Sequence, residues 1–236
     1  MVLSESGVIK IIDAPVDKFS LFSMYEKLTS LCELKLKGSN YISENIQQNQ
    51  QSNSNNVVNG RKIGNLEVIK MAKKLGITSK INQNDSTIAL GTAEVSLLEL
   101  TNSFSIINND GNSVDLHFIK EIVENKINSK NKIKSTSTYQ YLKPEPQLLL
   151  NENVVEELQD AMSGVLEYGT AKNANITNID SDAFGKTGTS QNFRDAWFIG
   201  SFEDLTIGIW FGNDDNSPTN HIAGGTLPAM LFGEII

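Results

Sequence analysis

The chain has 236 residues, of which 39% are hydrophobic and 20% charged, a composition typical of a globular protein with one sizeable core. Its 20 Lys and Arg residues are outnumbered by 28 Asp and Glu residues, which gives a net charge of -8. This charge has the wrong sign for binding a phosphate backbone, so we exclude nucleic acid as a partner.

The first residues predict a strand followed by a helix but contain no motif that indicates a function. The apolar cluster 8–12 suits the strand, and the cluster 19–22 suits the helix. The start of the chain lacks the basic and then apolar order of a signal peptide, and no run approaches the ~18 apolar residues of a membrane span. We therefore expect no export signal and no transmembrane segment in this chain.

A tract of Gln, Asn and Ser over residues 47–59 separates this segment from the rest of the chain. Such a tract buries too little apolar surface to offset its own ordering entropy, so we expect a poorly ordered linker. The predicted organisation is an N-terminal segment over 1–60 and one domain over 61–236. Cys32 is the only cysteine, which excludes an intrachain disulfide, and the two histidines add no metal-ligand spacing.

Three amphipathic helices are predicted in the middle of the chain. The first covers 65–75 and stops before Gly76, and the second covers 92–108 with Thr92 as its cap. The third covers 151–167, begins at an asparagine and ends before Gly169. Between the second and third helices, residues 113–147 are rich in Lys, Asn and Ser, which favours edge strands joined by a solvated hairpin.

The last third of the chain is predicted to form three consecutive antiparallel strands, at 183–190, 196–202 and 205–211. Helices followed by an antiparallel meander indicate an α/β fold in which helices pack on a sheet, rather than a doubly wound nucleotide fold. Trp197 and Trp210 are expected to pack against this sheet. Arg194 and Asp195 are expected to fix a turn or to form a surface pair.

The first of these strands contains Gly185-Lys186-Thr187, which also ends the phosphate-binding loop motif. The earlier glycine of that motif is absent, because position 180 is Asp180, and the following residues predict a strand instead of a helix. A calcium loop that starts at Asp180 and Asp182 fails as well, because Phe184 and Gln191 occupy ligand positions. Neither alternative accounts for the segment.

The whole segment 184–197, which includes Lys-Thr-Gly-Thr-Ser and a later Asp-Ala-Trp, closely resembles the Lys-Thr-Gly strand of penicillin-binding proteins. Five further blocks follow the order of the bifunctional, class A branch of that family: 71–77, 89–100, 164–171, 210–215 and 224–229. The resemblance covers residues 63–230. It implies a penicillin-binding protein/β-lactamase-like transpeptidase fold, an α/β arrangement of helices on an antiparallel sheet. The fold would be truncated at both ends, with residues 231–236 too short for the final helix.

The resemblance also implies a site on this strand. Lys186 would sit beside a substrate carboxylate and serve the proton network, and Thr187 and Thr189 would offer hydroxyls to that carboxylate. Gly188 would permit close approach of the substrate backbone. The amide of Thr189 would supply half of the oxyanion hole, where losing one donor costs on the order of 3 kcal/mol.

The nucleophile that this chemistry needs, a serine in Ser-x-x-Lys, is not recognisable. The only such spacing is Ser129 with Lys132, which lies in the polar hairpin region and is interpreted as chance. For the second family motif, Ser-x-Asn, the best candidate is Ser54 with Asn56, inside the polar tract.

The expected ligands are peptidoglycan stem peptides ending in D-Ala-D-Ala, and β-lactams, with no metal and no cofactor. The implied location is the periplasmic face of the bacterial cytoplasmic membrane. The implied function is stem-peptide cross-linking by serine acyl transfer. The alternative is a catalytically inactive remnant or a non-covalent binding module, and the oligomeric state stays open.

Overall fold

A computed structural model describes residues 2–4, 7–12, 64–85, 87–88, 92–127, 133–176 and 183–236. A five-stranded sheet lies at its centre, with strand order β1-β2-β7-β6-β5, and a separate two-stranded sheet joins β3 to β4. The strands are β1 Val2–Ser4, β2 Gly7–Ile12, β3 Glu121–Ile127, β4 Ile133–Gln140, β5 Phe184–Thr189, β6 Asp195–Phe202 and β7 Leu205–Gly212. The helices are α1 Asn65–Lys74, α2 Leu97–Asn108, α3 Glu152–Glu167 and α4 Leu227–Ile235.

The three predicted C-terminal strands are confirmed, and they pair in chain order. β5 pairs with β6 and β6 with β7, both antiparallel, with Lys186 opposite Ile199 and Trp197 opposite Trp210. The predicted N-terminal strand is also confirmed as β2, which pairs with β7 in the parallel direction. The predicted helix at 19–22, the tract 47–59 and the domain boundary at residue 60 lie outside the described residues.

One face of the sheet is covered by α2 and α3. Their apolar stripes bury Leu100, Phe104 and Leu158 against Trp197 and Ile199 of β6, which forms the larger core. Close approach of α2 to the sheet requires Gly208 on β7, because a Cβ there would collide with the hydroxyl of Thr101. The sheet that carries the Lys-Thr-Gly segment is therefore fixed from behind by tightly packed helices.

The opposite face is covered by α4, which the sequence analysis did not predict. Residues 231–236 were expected to be too short for a final helix, but the helix begins at Leu227, with Pro228 in its first turn. Proline suits this position because the first helical N–H groups have no intrahelical partner. The ring of Phe232 packs on that of Phe198 with centroids 4.9 Å apart, and both side chains are buried.

The second helix starts later than its apolar pattern indicated. It begins at Leu97, and Ser96 caps it in a reciprocal arrangement with Glu99, in which each side chain accepts from the other residue's backbone N–H. Thr92, the predicted cap, instead donates its hydroxyl to Asp85 at 2.6 Å. The predicted first and third helices are confirmed as α1 and α3, with Asn151 capping α3.

The predicted hairpin is confirmed, but its strands are not edge strands of the main sheet. In the described part of the chain, β3 and β4 pair only with each other. Every residue of both strands is exposed, so neither β3 nor β4 packs on the domain. No helix among the described residues is long and apolar enough to cross a membrane.

Candidate functional site

The Lys-Thr-Gly-Thr segment occupies most of β5, which is one of the two edge strands of the five-stranded sheet. Because side chains alternate along a strand, Lys186 projects toward the face that α2 and α3 cover. Thr187 and Thr189 project toward the face of α4. The four predicted site residues, which are consecutive in the sequence, lie along a free edge of the sheet because, among the described strands, β5 pairs on one side only, with β6.

The pairing register decides which backbone groups of this segment face outward. The N–H of Ser190 donates to the carbonyl of Asp195 at 3.0 Å, and the N–H of Asp195 donates to the hydroxyl of Ser190, so these two residues occupy a hydrogen-bonded position of the ladder. Hydrogen-bonded and non-hydrogen-bonded pairs alternate in an antiparallel ladder. The backbone N–H and C=O groups of Thr187 and Thr189 therefore point away from β6, toward the free edge of the sheet.

The ammonium of Lys186 reaches the same edge. Its Nζ donates to the carbonyl oxygen of Thr187 at 2.9 Å, and the side chain is half-buried. A cation and the outward amide of Thr189 consequently line one edge of the strand, and the exposed hydroxyl of Thr189 lies next to this edge on the α4 side. This combination suits a ligand that carries a carboxylate next to a carbonyl group.

The two threonine hydroxyls are not equivalent, although the sequence presents them alike. Thr187 is only 8% exposed, and its Oγ1 lies 2.6 Å from Oγ1 of Thr170, in the turn after α3. Thr189 is exposed, and its Oγ1 accepts from the N–H of Gly224 at 3.0 Å, which leaves its proton available to donate. Of the two, the Thr189 hydroxyl is therefore better placed to bind a ligand.

A glycine pair before α4 packs closely on β5. A Cβ at Gly224 would collide with the backbone oxygens of Gly188 and Trp197, and a Cβ at Gly225 would collide with the carbonyl oxygen of Thr170. The sequence blocks 164–171 and 224–229 therefore meet at the Lys-Thr-Gly-Thr strand. Sequence reasoning singled out both blocks but assigned no role to Thr170 or Gly224, whose contacts arise only from tertiary packing.

The turn from β5 to β6 is held by buried polar contacts. Asp195 is 6% exposed, accepts from the indole Nε1 of Trp210 at 3.1 Å, and donates its backbone N–H to the hydroxyl of Ser190. Asp195 thus fixes the turn, as expected, but it is buried rather than part of a surface pair. The predicted packing of Trp197 and Trp210 is confirmed, because both are buried on the sheet.

Several predicted positions lie outside the described residues. These are Ser54 and Asn56 of the candidate second motif, the chance pair Ser129 and Lys132, and the aspartates of the rejected calcium loop. Across the described ranges, no group of three His, Cys, Asp or Glu side chains could hold a metal ion.

Comparison with known proteins gives one family. Residues 35–230 match the family model for the penicillin binding protein transpeptidase domain. Penicillin-binding protein 1A of Aquifex aeolicus is 29% identical over 172 residues, which cover 72% of this chain and 22% of that protein. Penicillin-binding protein 1A of Clostridium botulinum is 28% identical over 181 residues, covering 74% of this chain and 20% of that protein.

Solved structures share the fold. Penicillin-binding protein 1A from Haemophilus influenzae superposes with a TM-score of 0.59 at 16% identity, covering 77% of this chain and 32% of that one. PonA1 from Mycobacterium tuberculosis gives a TM-score of 0.56 at 18% identity, covering 69% of this chain and 46% of that one. PonA1 has also been solved in complex with penicillin V. The chain spans about a fifth of the length of the curated relatives named above.

Proposed function

Because the chain belongs to the penicillin-binding protein transpeptidase family, we propose that its β5 edge is the carboxylate-binding side of a D,D-transpeptidase site. The proposed ligands are stem peptides that end in D-Ala-D-Ala, and the β-lactams that resemble them. The single observation that carries the proposal is the outward edge of β5, where the Lys186 ammonium contacts the carbonyl of Thr187 and the backbone N–H of Thr189 points away from β6.

Each group at this edge has a distinct role in the proposed site. The ammonium of Lys186 attracts the terminal carboxylate, and the exposed hydroxyl of Thr189 donates to it. The outward N–H of Thr189 is oriented to stabilise an oxyanion that forms on the neighbouring carbonyl. Thr187 holds the strand against Thr170 and binds no ligand directly. We further propose that the peptide backbone passes over Gly188.

Acyl transfer in such a site needs a serine whose hydroxyl attacks the carbonyl of the penultimate D-Ala. A serine ester forms, the peptide bond to the terminal D-Ala breaks, and the serine proton passes by way of a neighbouring amine to the leaving amino group. Residues 1–236 contain the Ser-x-x-Lys spacing only at Ser129. We therefore propose that these residues bind the ligand without forming a covalent bond, and that a complete reaction requires a nucleophile beyond them.

The second candidate, a catalytically inactive binding module, rests on the same missing motif. Both candidates predict non-covalent binding by this chain, and they differ in whether a serine-bearing segment restores acylation. For the complete protein we propose the outer face of the bacterial cytoplasmic membrane as its location, because stem peptides are cross-linked there. Division into a segment over 1–60 and a domain over 61–236 also stays a proposal.

The test is ligand-observed NMR with diacetyl-Lys-D-Ala-D-Ala and with the same peptide amidated at its C-terminus. Saturation transfer from the purified chain is expected for the acid and not for the amide, because only the acid offers a carboxylate to Lys186. Lys186→Gln is expected to abolish the signal, whereas Lys172→Gln, which removes an exposed charge from the short helix Lys172–Ala174, retains it. Equal transfer to both peptides would refute the carboxylate site.

A further inference from the structure

The hairpin of β3 and β4 is the one described sheet that exposes both of its faces. All residues of its two strands are exposed, and they include Ile122, Val123 and Tyr139 as large apolar side chains. A two-stranded hairpin is at best marginally stable alone in water. Apolar side chains that a hairpin exposes to solvent indicate a surface that binds a partner.

Two cross-strand pairs at the far end of this hairpin define a hairpin tip, consisting of Lys126, Ile127, Ile133 and Lys134. Ile127 lies directly opposite Ile133, and these side chains are 70% and 68% exposed. Lys126 lies directly opposite Lys134. Because successive side chains point to opposite faces, the isoleucine pair occupies one face and the lysine pair the other.

Among the described residues, the hairpin compensates neither pair fully. Like charges directly opposite each other destabilise an antiparallel pair, and Ile127 and Ile133 keep most of their apolar surface in water. Lys126 also contacts the carboxylate of Glu124 at 3.2 Å, but both side chains are exposed, so this ion pair contributes little. A partner with an anionic surface and an apolar interior would reduce the repulsion between the lysines and remove the isoleucine side chains from water.

The charge of the surrounding sequence indicates the sign of that partner. Residues 126–134 contain four lysines and no acidic residue, although the chain as a whole has a net charge of -8. This segment is therefore positively charged although the protein as a whole is acidic. It favours an anionic surface, to which each lysine near the headgroups adds about a fivefold gain in affinity.

We propose that the hairpin tip docks on the surface of an anionic lipid bilayer. The isoleucine pair enters the boundary between headgroups and acyl chains, and the lysine stems reach back so that their ammonium groups contact lipid phosphates. A polyanion in water would account for the lysines but would leave the isoleucines exposed. The apolar pair is therefore the reason to prefer a bilayer.

The test is sedimentation of the purified chain with vesicles of phosphatidylcholine containing phosphatidylglycerol, and with vesicles of phosphatidylcholine alone. Binding is expected to the anionic vesicles and to weaken with salt. Lys126→Gln combined with Lys134→Gln is expected to lower the partition coefficient about 25-fold. Ile127→Ser combined with Ile133→Ser is expected to lower it at least tenfold.

Matched variants separate the tip from general charge and apolarity. Lys73→Gln with Lys74→Gln removes the same charge from the last turn of α1, and Leu66→Ser removes an exposed apolar side chain from α1. Both control variants are expected to bind the vesicles as the unchanged chain does. Circular dichroism of each variant confirms that the fold is kept. Absence of binding, or equal binding to both vesicle types, would overturn the proposal. The proposal would also be overturned if the double serine variant bound as tightly as the unchanged chain and soluble polyphosphate competed with the vesicles. That result would show that the hairpin tip binds a polyanion.

Discussion

Glu99 joins the start of α2 to the turn after α1, and its replacement by glutamine should measurably destabilise the domain. Its Oε1 accepts from the backbone N–H of Thr78 at 2.8 Å and of Ser79 at 2.9 Å, and from the Thr78 hydroxyl. Its Oε2 accepts from the Ser79 hydroxyl and from the N–H and hydroxyl of Ser96. Glutamine keeps one acceptor oxygen and turns an amide NH₂ toward groups that donate, so half of this network is lost.

The size of the effect follows from the carboxyl group's pKa. Burial acts to raise the pKa of Glu99, but the hydrogen bonds from Ser79, Thr78 and Ser96 together outweigh it and lower the pKa from 4.5 to about 2. A difference of this size corresponds to about 3 kcal/mol for a fully shielded group. Because the side chain is partly exposed, solvent screening reduces the expected contribution to about 1–2 kcal/mol.

The sign of the pH dependence is fixed by the direction of this shift. The pKa is lower in the folded state than in the unfolded state, so the stabilisation is fully present above about pH 4.5. It is lost as the pH falls from 4.5 toward about 2, where the folded carboxylate takes up its proton. Glu99→Gln should therefore be less stable than the unchanged chain at pH 7, and the two free energies of unfolding should approach each other as the pH falls toward about 2.

Urea unfolding followed by tryptophan fluorescence provides the measurement, since Trp197 and Trp210 are both buried. At pH 7 the free energy of unfolding should fall by about 1–2 kcal/mol in Glu99→Gln, and the difference should shrink at pH 2.5. Glu156→Gln, on the exposed side of α3, should change the free energy by less than about 0.5 kcal/mol. A Glu99→Gln variant of unchanged stability at pH 7, or a deficit at pH 2.5 as large as that at pH 7, would refute the reasoning.

Two further outcomes are expected. Phe232→Ala should lower the free energy of unfolding by about 3–4 kcal/mol because it leaves a cavity against Phe198. Met230 is exposed on the same helix, so Met230→Ala should lower it by less than about 1 kcal/mol. Equal losses in the two variants would show that α4 does not cover the sheet. Incubation with a fluorescent penicillin should leave the intact mass of the chain unchanged, because binding without a nucleophile stabilises the ground state only. A stoichiometric mass increase mapped to a serine would contradict the proposed non-covalent binding.

The sheet could be predicted because its strands carry local signals. Apolar and β-branched runs separated by short polar turns mark β5, β6 and β7, and the Lys186 segment is recognisable as a contiguous motif. The start of α2 was missed because an apolar run began before the helix. The Ser96 and Glu99 spacing, three residues apart, is the local signal that identifies the true cap.

Other features depend on contacts between distant segments. The last residues were expected to be too short for a helix, yet α4 forms because Phe232 buries its ring against Phe198, 34 residues earlier. The sequence presents Thr187 and Thr189 as alike, but packing of the turn after α3 occupies the hydroxyl of Thr187 with Thr170. The hairpin was predicted, but local patterns do not tell whether its strands join the main sheet.

The most direct test of the proposed carboxylate site is a ¹H–¹⁵N NMR titration of the purified chain with benzylpenicillin. The largest amide shifts should fall on Thr187, Gly188 and Thr189 of β5 and on Gly224, whose N–H donates to Thr189. They should reverse when the ligand is removed by dialysis, because the proposed binding is non-covalent. Absence of shifts at these four amides, with the largest changes at residues remote from β5, would contradict the proposal that this strand binds the ligand.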